Sequence, residues 1–310
     1  MINEQLSIKK TQTLKNFWQF SRPHTIIGTS LSVLALYSIA VAIARDVWSI
    51  TSLLDLAIAW VSCLCGNIYI VGLNQLEDIA IDRINKPHLP LASGEFSRNQ
   101  GQWIVVITGI LALLLATFGG HWLLATVGIS LAIGTAYSLP PIRLKRFPLL
   151  AAFCIFTVRG VIVNLGLFLH FNHTLGRLDI IPASIIILTL FILVFTIAIA
   201  IFKDVPDMEG DREYEIVTFT LIVGKTAIFQ ISRGIITLCY LGTIGAVIIG
   251  LAGVNAWILG TGHCILLGLL WWRSRSVDLE DRNAIASFYQ FIWKLFFLEY
   301  FLFPIASWLA

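Results

Sequence analysis

The chain has 310 residues, 57% of them hydrophobic and only 13% charged, with a mean hydropathy of +0.85. That composition excludes an ordinary soluble globular domain and places the chain in a bilayer. The net charge of +3 is too small to select a partner, and nothing points to nucleic acid or to a protein partner.

The apolar residues gather into nine runs of about 18 to 25 residues, the length a helix needs to cross about 30 Å of hydrocarbon. The runs are 24–44, 52–76, 101–118, 121–138, 147–169, 179–202, 227–249, 254–272 and 288–309. The expected fold is an all-α polytopic membrane protein, with a short N-terminal segment, 1–23, ahead of a transmembrane domain, 24–310. Met1 to Phe20 is polar with scattered lysines. It lacks the apolar core and cleavage site of a secretory signal and the Arg- and Ser-rich character of a transit peptide, which favours a bacterial-type protein inserted directly. Most of the 21 Lys and Arg residues fall at the N-terminus and in the loops after runs two, four, six and eight. This bias puts those segments in the cytoplasm and the C-terminus outside.

The second run ends in Asn74-Gln75-Leu76-Glu77-Asp78-Ile79-Ala80-Ile81-Asp82, followed by Arg83-Ile84-Asn85-Lys86-Pro87. Asn74, Asp78 and Asp82 are spaced i, i+4, i+8, so a continuing helix stacks their oxygens on one face at the membrane boundary. After the fourth run comes Tyr137-Ser138-Leu139-Pro140-Pro141-Ile142-Arg143-Leu144-Lys145-Arg146. The fifth carries Arg159, about 18 Å from its start at 1.5 Å per residue. The sixth ends in Lys203-Asp204-Val205-Pro206-Asp207-Met208-Glu209-Gly210-Asp211, where Asp204, Asp207 and Asp211 share a face unless Pro206 or Gly210 breaks the helix. Apart from Arg159 the helix centres read as uncharged, and His24, His121 and His263 are expected near helix starts or interfaces. The five cysteines, Cys63, Cys65, Cys154, Cys239 and Cys264, show no metal or redox spacing and read as small hydrophobes within helices.

Clustered carboxylates repel unless a hard cation neutralises them, and magnesium prefers one or two carboxylates plus phosphate oxygens. Two such clusters at equivalent ends of two helices would hold a magnesium-bridged diphosphate between them. Lys86, Arg143, Lys145, Lys203 and Lys225 lie on the same predicted side, where they suit a trianionic leaving group as well as a positive-inside anchor. A transporter is the rival class, but transporters tend to keep their coupling acids near the midplane on broken helices. Here the acids lie at helix ends.

These residues resemble the UbiA superfamily of intramembrane aromatic prenyltransferases, whose members carry an Asn-Asp-x-x-Asp-x-x-x-Asp type motif after helix two and an Asp-x-x-Asp-x-x-x-Asp type motif after helix six. Gln75 departs from it, standing where many members have an aspartate. The runs Asn74–Glu95, Tyr137–Arg146 and Lys203–Arg212 are similar to the homogentisate prenyltransferase branch. The resemblance implies nine helices around a central cavity, with Asn74, Asp78, Asp82, Asp204, Asp207 and Asp211 as magnesium ligands. It implies phytyl diphosphate as donor and homogentisate as acceptor, with loss of the acceptor's carboxyl group to give a methyl-phytyl benzoquinol of tocopherol synthesis. Homogentisate solanesyl- or geranylgeranyl transfer, naphthoate prenylation and chlorophyll synthesis are the alternatives within the superfamily. A photosynthetic bacterium, in its plasma or thylakoid membrane, is the implied source.

On this reading Arg143, Lys145 and Lys203 stabilise charge on the departing diphosphate, and Tyr137 donates it a hydrogen bond. Ser21-Arg22-Pro23-His24-Thr25 is similar to the family's entry segment, and Arg22 either lines the cavity or snorkels to the interface. Arg159 pairs either with the acceptor's carboxylate or with an acid of the chain, and Asn164 shares its wall. A prenyl tail moving from lipid to an apolar tunnel gains little of the roughly 0.8 kcal/mol per CH₂ available on leaving water. Tunnel shape therefore sets chain length, and shape is not written in the residues.

Overall fold

A computed structural model describes residues 2–45, 49–203, 205 and 219–310, and all regular structure among them is helical. A bilayer core offers no water to satisfy a backbone, so a spanning segment satisfies its own by coiling. The first helices are α1 (Ile2–Phe20), α2 (Pro23–Ala44), α3 (Ile50–Glu77), two short helices α4 (Ile79–Asn85) and α5 (Pro90–Ser93), α6 (Arg98–Gly119) and α7 (His121–Ser138). There follow α8 (Pro148–Phe156), a π-helical turn (Thr157–Ile162), α9 (Val163–Thr174) and α10 (Ala183–Phe202). The last are α11 (Phe219–Val223), α12 (Lys225–Ile249), α13 (Ala256–Ser274) and α14 (Arg282–Trp308).

Seven of the described helical segments are long and apolar enough to cross a membrane: α2, α3, α6, Leu149–Thr174, α10, α12 and α14. The expected fourth and eighth spans form α7 and α13, which fall outside that set. At 18 and 19 residues they are among the shorter long helices, and their histidines, glycines and hydroxyls dilute the apolar run. The expected count of nine spans is therefore not established.

Contacts divide the chain into two compact units, one of Met1–Ser30 with Ala57–Lys145 and one of Leu31–Leu56 with Arg146–Ala310. In the first unit α6 shows how sequence sets orientation. Ser97 and Gln100 close a reciprocal capping box at its start, satisfying donors that the first turn leaves orphaned. Trp103, Ile107, Ile110, Leu114 and Phe118 then form an exposed stripe at helical spacing, suited to lipid. The opposite face, with Gly101, Val105, Thr108, Gly109, Ala112 and Ala116, is buried. Small residues let the helices approach closely. A methyl group on Gly72 would stand 2.7 Å from Phe20 and from Val105, and one on Gly109 would stand 2.7 Å from the Tyr69 ring. Ser62 donates to the Ala112 carbonyl at 2.8 Å. The core here joins Phe20, Ile68, Leu73, Leu76, Leu91, Phe96 and Val105.

The second unit is built on α10, whose Phe191, Phe195 and Phe202 are buried and meet Tyr240, Phe296 and Phe288 in tilted ring contacts, which ring quadrupoles favour over face-to-face stacking. Two expectations are corrected in it. Glu299 is fully buried in the middle of α14, and His263 is fully buried in the middle of α13 rather than at an interface. The His263 Nε2 and Glu299 Oε2 atoms are 3.1 Å apart, and the rings of Phe191, Tyr240 and Phe303 surround the imidazole. Besides Arg159, the helix centres thus hold an ionisable pair. The acid was hidden by an aromatic neighbourhood, Phe296 to Phe303, in which one carboxylate barely lowers hydropathy. Of the cysteines, Cys154 and Cys239 are buried and Cys264 is exposed.

Candidate active site

The first acidic motif lies where α3 gives way to α4, within the first unit. Asp78 leaves helical dihedrals, with φ −111° and ψ 15°, yet its N–H still bonds back to the Asn74 carbonyl at 3.1 Å and the Asp82 N–H reaches the Asp78 carbonyl at 2.7 Å. The helical path is broken by one residue and its direction largely kept. The spacing brings the Asn74 and Asp78 side chains into contact, the Asn74 amide donating to Asp78 Oδ2 at 3.1 Å, and leaves Asp82 near enough to feel the Asp78 charge.

Cations from distant stretches of chain converge on this run. Lys145 Nζ lies 2.7 Å from Asp78 Oδ2, and Arg143 Nη2 lies 3.2 Å from Asp78 Oδ1. Arg22 Nη2 donates to Asn74 Oδ1 at 3.3 Å, which draws its side chain to the motif instead of to the interface. The backbone is bent to place these groups. Arg22 and Arg143 both have positive φ, 53° and 39°, a region that costs a non-glycine residue energy. Asp78 is 16% exposed and Lys145 11%, so their attraction is screened less than that of a surface pair. Burial pulls the Lys145 ammonium below its ordinary pKa, against the hydrogen bond to Asp78.

Asp82 is 6% exposed, and its Oδ2 has no hydrogen-bond partner among the described residues. Burial raises its pKa above its ordinary value, with Asp78 adding to the rise, while Lys86, Arg22 and Lys145 oppose it. An orphaned buried carboxylate oxygen beside a second carboxylate and an amide oxygen is a hard-oxygen donor set, the kind magnesium takes together with phosphate oxygens. The residues fit that ion. Each oxygen of Asp78 keeps a second lone pair beyond those given to Arg143 and Lys145.

The remaining expected site residues fall as follows. Lys86 is half-buried at the end of α4, and Tyr137 is half-buried in the last turn of α7. Lys203 caps α10 in the second unit, which also holds Arg159 in its π turn and Asn164 in α9. Asn164 does not offer its amide to a cavity wall. It is fully buried, donates to the Arg159 and Gly160 carbonyls at 3.1 and 2.8 Å, and accepts from the Tyr300 hydroxyl at 3.1 Å. Asp204, Asp207 and Asp211 lie outside the described residues.

Three features were not expected. Gln75 is 1% exposed and donates to the Phe20 carbonyl at 2.7 Å and the Val71 carbonyl at 3.2 Å. It closes the end of α1, a task an aspartate has no N–H to perform. The loop after the motif is anchored, since Leu89, Pro90, Leu91 and Phe96 are buried and Phe96 meets Phe20 at 5.9 Å. Finally, Asn67 donates to Thr25 Oγ1 at 3.0 Å and Thr29 donates to Asn67 Oδ1 at 3.5 Å. Asn67 stands seven residues before Asn74, a two-turn spacing that was available as a signal.

Residues 31–295 match the model of the UbiA prenyltransferase family. The chain belongs to this family. Within it, the chain is 58% identical over 298 residues to homogentisate phytyltransferase of Synechocystis sp., covering 96% of this chain and 97% of that one. It is 43% identical to chloroplastic homogentisate phytyltransferase 1 of Arabidopsis thaliana, over 94% of this chain and 75% of the relative. To homogentisate geranylgeranyltransferase of Triticum aestivum it is 40% identical, over 97% and 74%. Among solved structures, a UbiA homologue from Archaeoglobus fulgidus bound to GPP and Mg2+ is similar with a TM-score of 0.63 at 17% identity, covering 94% of this chain and 99% of that one. A digeranylgeranylglyceryl phosphate synthase is similar with a TM-score of 0.66 at 21% identity, covering 96% and 100%. These likenesses bear on the fold. This UbiA chain is thus an aromatic prenyltransferase with the all-helical, membrane-embedded fold of its family.

Proposed function

We propose that this chain transfers a phytyl group from phytyl diphosphate to homogentisate with loss of the acceptor's carboxyl group. The observation that carries the chemistry is Asp78 clamped between Arg143 and Lys145 beside the orphaned oxygen of Asp82. The substrates are taken from the relatives named homogentisate phytyltransferase.

Asn74, Asp78 and Asp82 would hold magnesium, with Asp204, Asp207 and Asp211 as the further ligands of the proposed set. When bound, the ion supplies Lewis-acid neutralisation of the diphosphate's charge. Arg143 and Lys145 fix the Asp78 carboxylate and place positive charge where the allylic C–O bond breaks and the diphosphate leaves. Arg22 fixes Asn74 through its amide oxygen. Lys86 and Lys203 add charge, and Tyr137 supplies a hydroxyl donor to the leaving group. The apolar bundle keeps water from the carbocation-like chain end, so that a ring carbon forms the new C–C bond and loses its proton, while the carboxyl group departs as CO₂ and a proton takes its place on the side-chain carbon to leave a methyl group.

The test is an acceptor panel. Membranes carrying the expressed protein, incubated with magnesium, phytyl diphosphate and carboxyl-labelled homogentisate, should release labelled CO₂ as a lipid-soluble quinol forms. Product with a naphthoate or chlorophyllide acceptor and none with homogentisate would overturn the choice of acceptor.

A further inference from the structure

Arg159 stands near the middle of the span Leu149–Thr174, where a full charge needs an anion, a polar cavity or aromatic faces. Among the described residues no acid forms an ion pair with it. Its guanidinium carbon instead lies 5.1 Å from the Trp293 ring centroid and 5.8 Å from that of Phe296. Ring faces stabilise the positive charge, but they leave the five N–H donors of the fork to be satisfied. No described residue accepts a hydrogen bond from that fork, and the side chain is only half-buried.

The backbone that carries it is built for this placement. Residues Thr157–Ile162 form a π turn, in which the Val163 N–H reaches back five residues to the Val158 carbonyl. Such turns leave carbonyls unpaired and occur often at functional positions. Here the Asn164 amide takes the Arg159 and Gly160 carbonyls, and Tyr300, 2% exposed on α14, locks Asn164. Gly160 seats the turn on α10 so closely that a Cβ would stand 2.7 Å from the Leu193 Cα. A rotation of this turn is blocked on one side by α10 and held on the other by the amide. The wall opposite is aromatic and flat.

We propose that Arg159 is the specificity-determining residue for the acceptor, binding the carboxylate of an aromatic acid through its free fork beside the rings of Trp293 and Phe296. Asn164 and Tyr300 are positioning residues that hold the π turn. This rests on the acceptor class proposed above. A planar carboxylate is the partner whose geometry matches two parallel guanidinium N–H donors, and the ring it carries suits an aromatic wall.

The experiment measures equilibrium binding of homogentisate and of its methyl ester to the purified protein, alongside the separate KM values for acceptor and donor. The wild-type protein should prefer the free acid. In Arg159→Leu, loss of a charge-assisted hydrogen bond implies a roughly tenfold to hundredfold rise in acceptor KM, with donor KM unchanged and the acid-over-ester preference gone. Arg159→Lys should keep part of that preference. Asn164→Leu, which frees the turn without touching the guanidinium, should show the same acceptor-selective defect and serves if Arg159→Leu fails to fold. Equal rises in both KM values, or an acid preference that survives Arg159→Leu, would overturn the proposal. A wild-type protein that prefers the acid but forms no product from homogentisate would leave Arg159 in its role and remove homogentisate as the substrate.

Discussion

Asp78 accepts from Asn74 one turn before it, from Arg143 and from Lys145, so one carboxylate ties together two stretches separated by more than sixty residues of chain. The acid spacing was legible because Asn74, Asp78 and Asp82 share a helical period and end an apolar run. The cations meeting them were legible only as neighbours on one side of the membrane, since no local pattern encodes a contact at that sequence distance. Gln75 was legible as a departure from the family motif but not in its role, which depends on the end of α1 lying against it. Replacing Gln75 by Leu leaves the Phe20 carbonyl unpaired in the core, and about 1–3 kcal/mol of stability should be lost. A thermal melt in detergent reads this, and an unchanged midpoint would show that water or another donor serves that carbonyl.

At the scale of elements, α13 and α14 are joined by His263 and Glu299, both fully buried. The His263 Nδ1 lies 2.6 Å from the Leu259 carbonyl, so that nitrogen carries its proton and Nε2 faces Glu299. Removing one member of such a pair strands the other, at a cost of about 3–5 kcal/mol, whereas replacing both by apolar residues is far milder. Glu299→Leu should therefore lower the melting temperature more than the double change His263→Leu with Glu299→Leu. A double variant as unstable as the sum of two large single losses would deny the coupling. The helices themselves were legible wherever hydrophobic runs are long. The π turn was not, because it differs from α-helix by one backbone register that Asn164 and Gly160 stabilise through α14 and α10, and no pattern in Thr157–Ile162 announces it.

At the scale of the whole molecule, apolar length and composition were enough to anticipate an all-helical membrane protein, while the number of spans was not, because α7 and α13 are short and diluted by polar residues. Each of the two units holds its own core. The first carries the described residues of the proposed metal and diphosphate site, and its central feature is a buried carboxylate oxygen, Asp82 Oδ2, without a hydrogen-bond partner among the described residues. If Asp82 completes a magnesium site, the ion must couple to donor binding through that oxygen. The most direct measurement is the affinity of the purified protein for phytyl diphosphate with excess magnesium and with EDTA, in the wild type and in Asp82→Asn. Magnesium should tighten donor binding at least about tenfold in the wild type, a difference of roughly 1.4 kcal/mol, and have little effect in Asp82→Asn; an equal magnesium effect in both proteins would contradict the placement of the metal at Asp82.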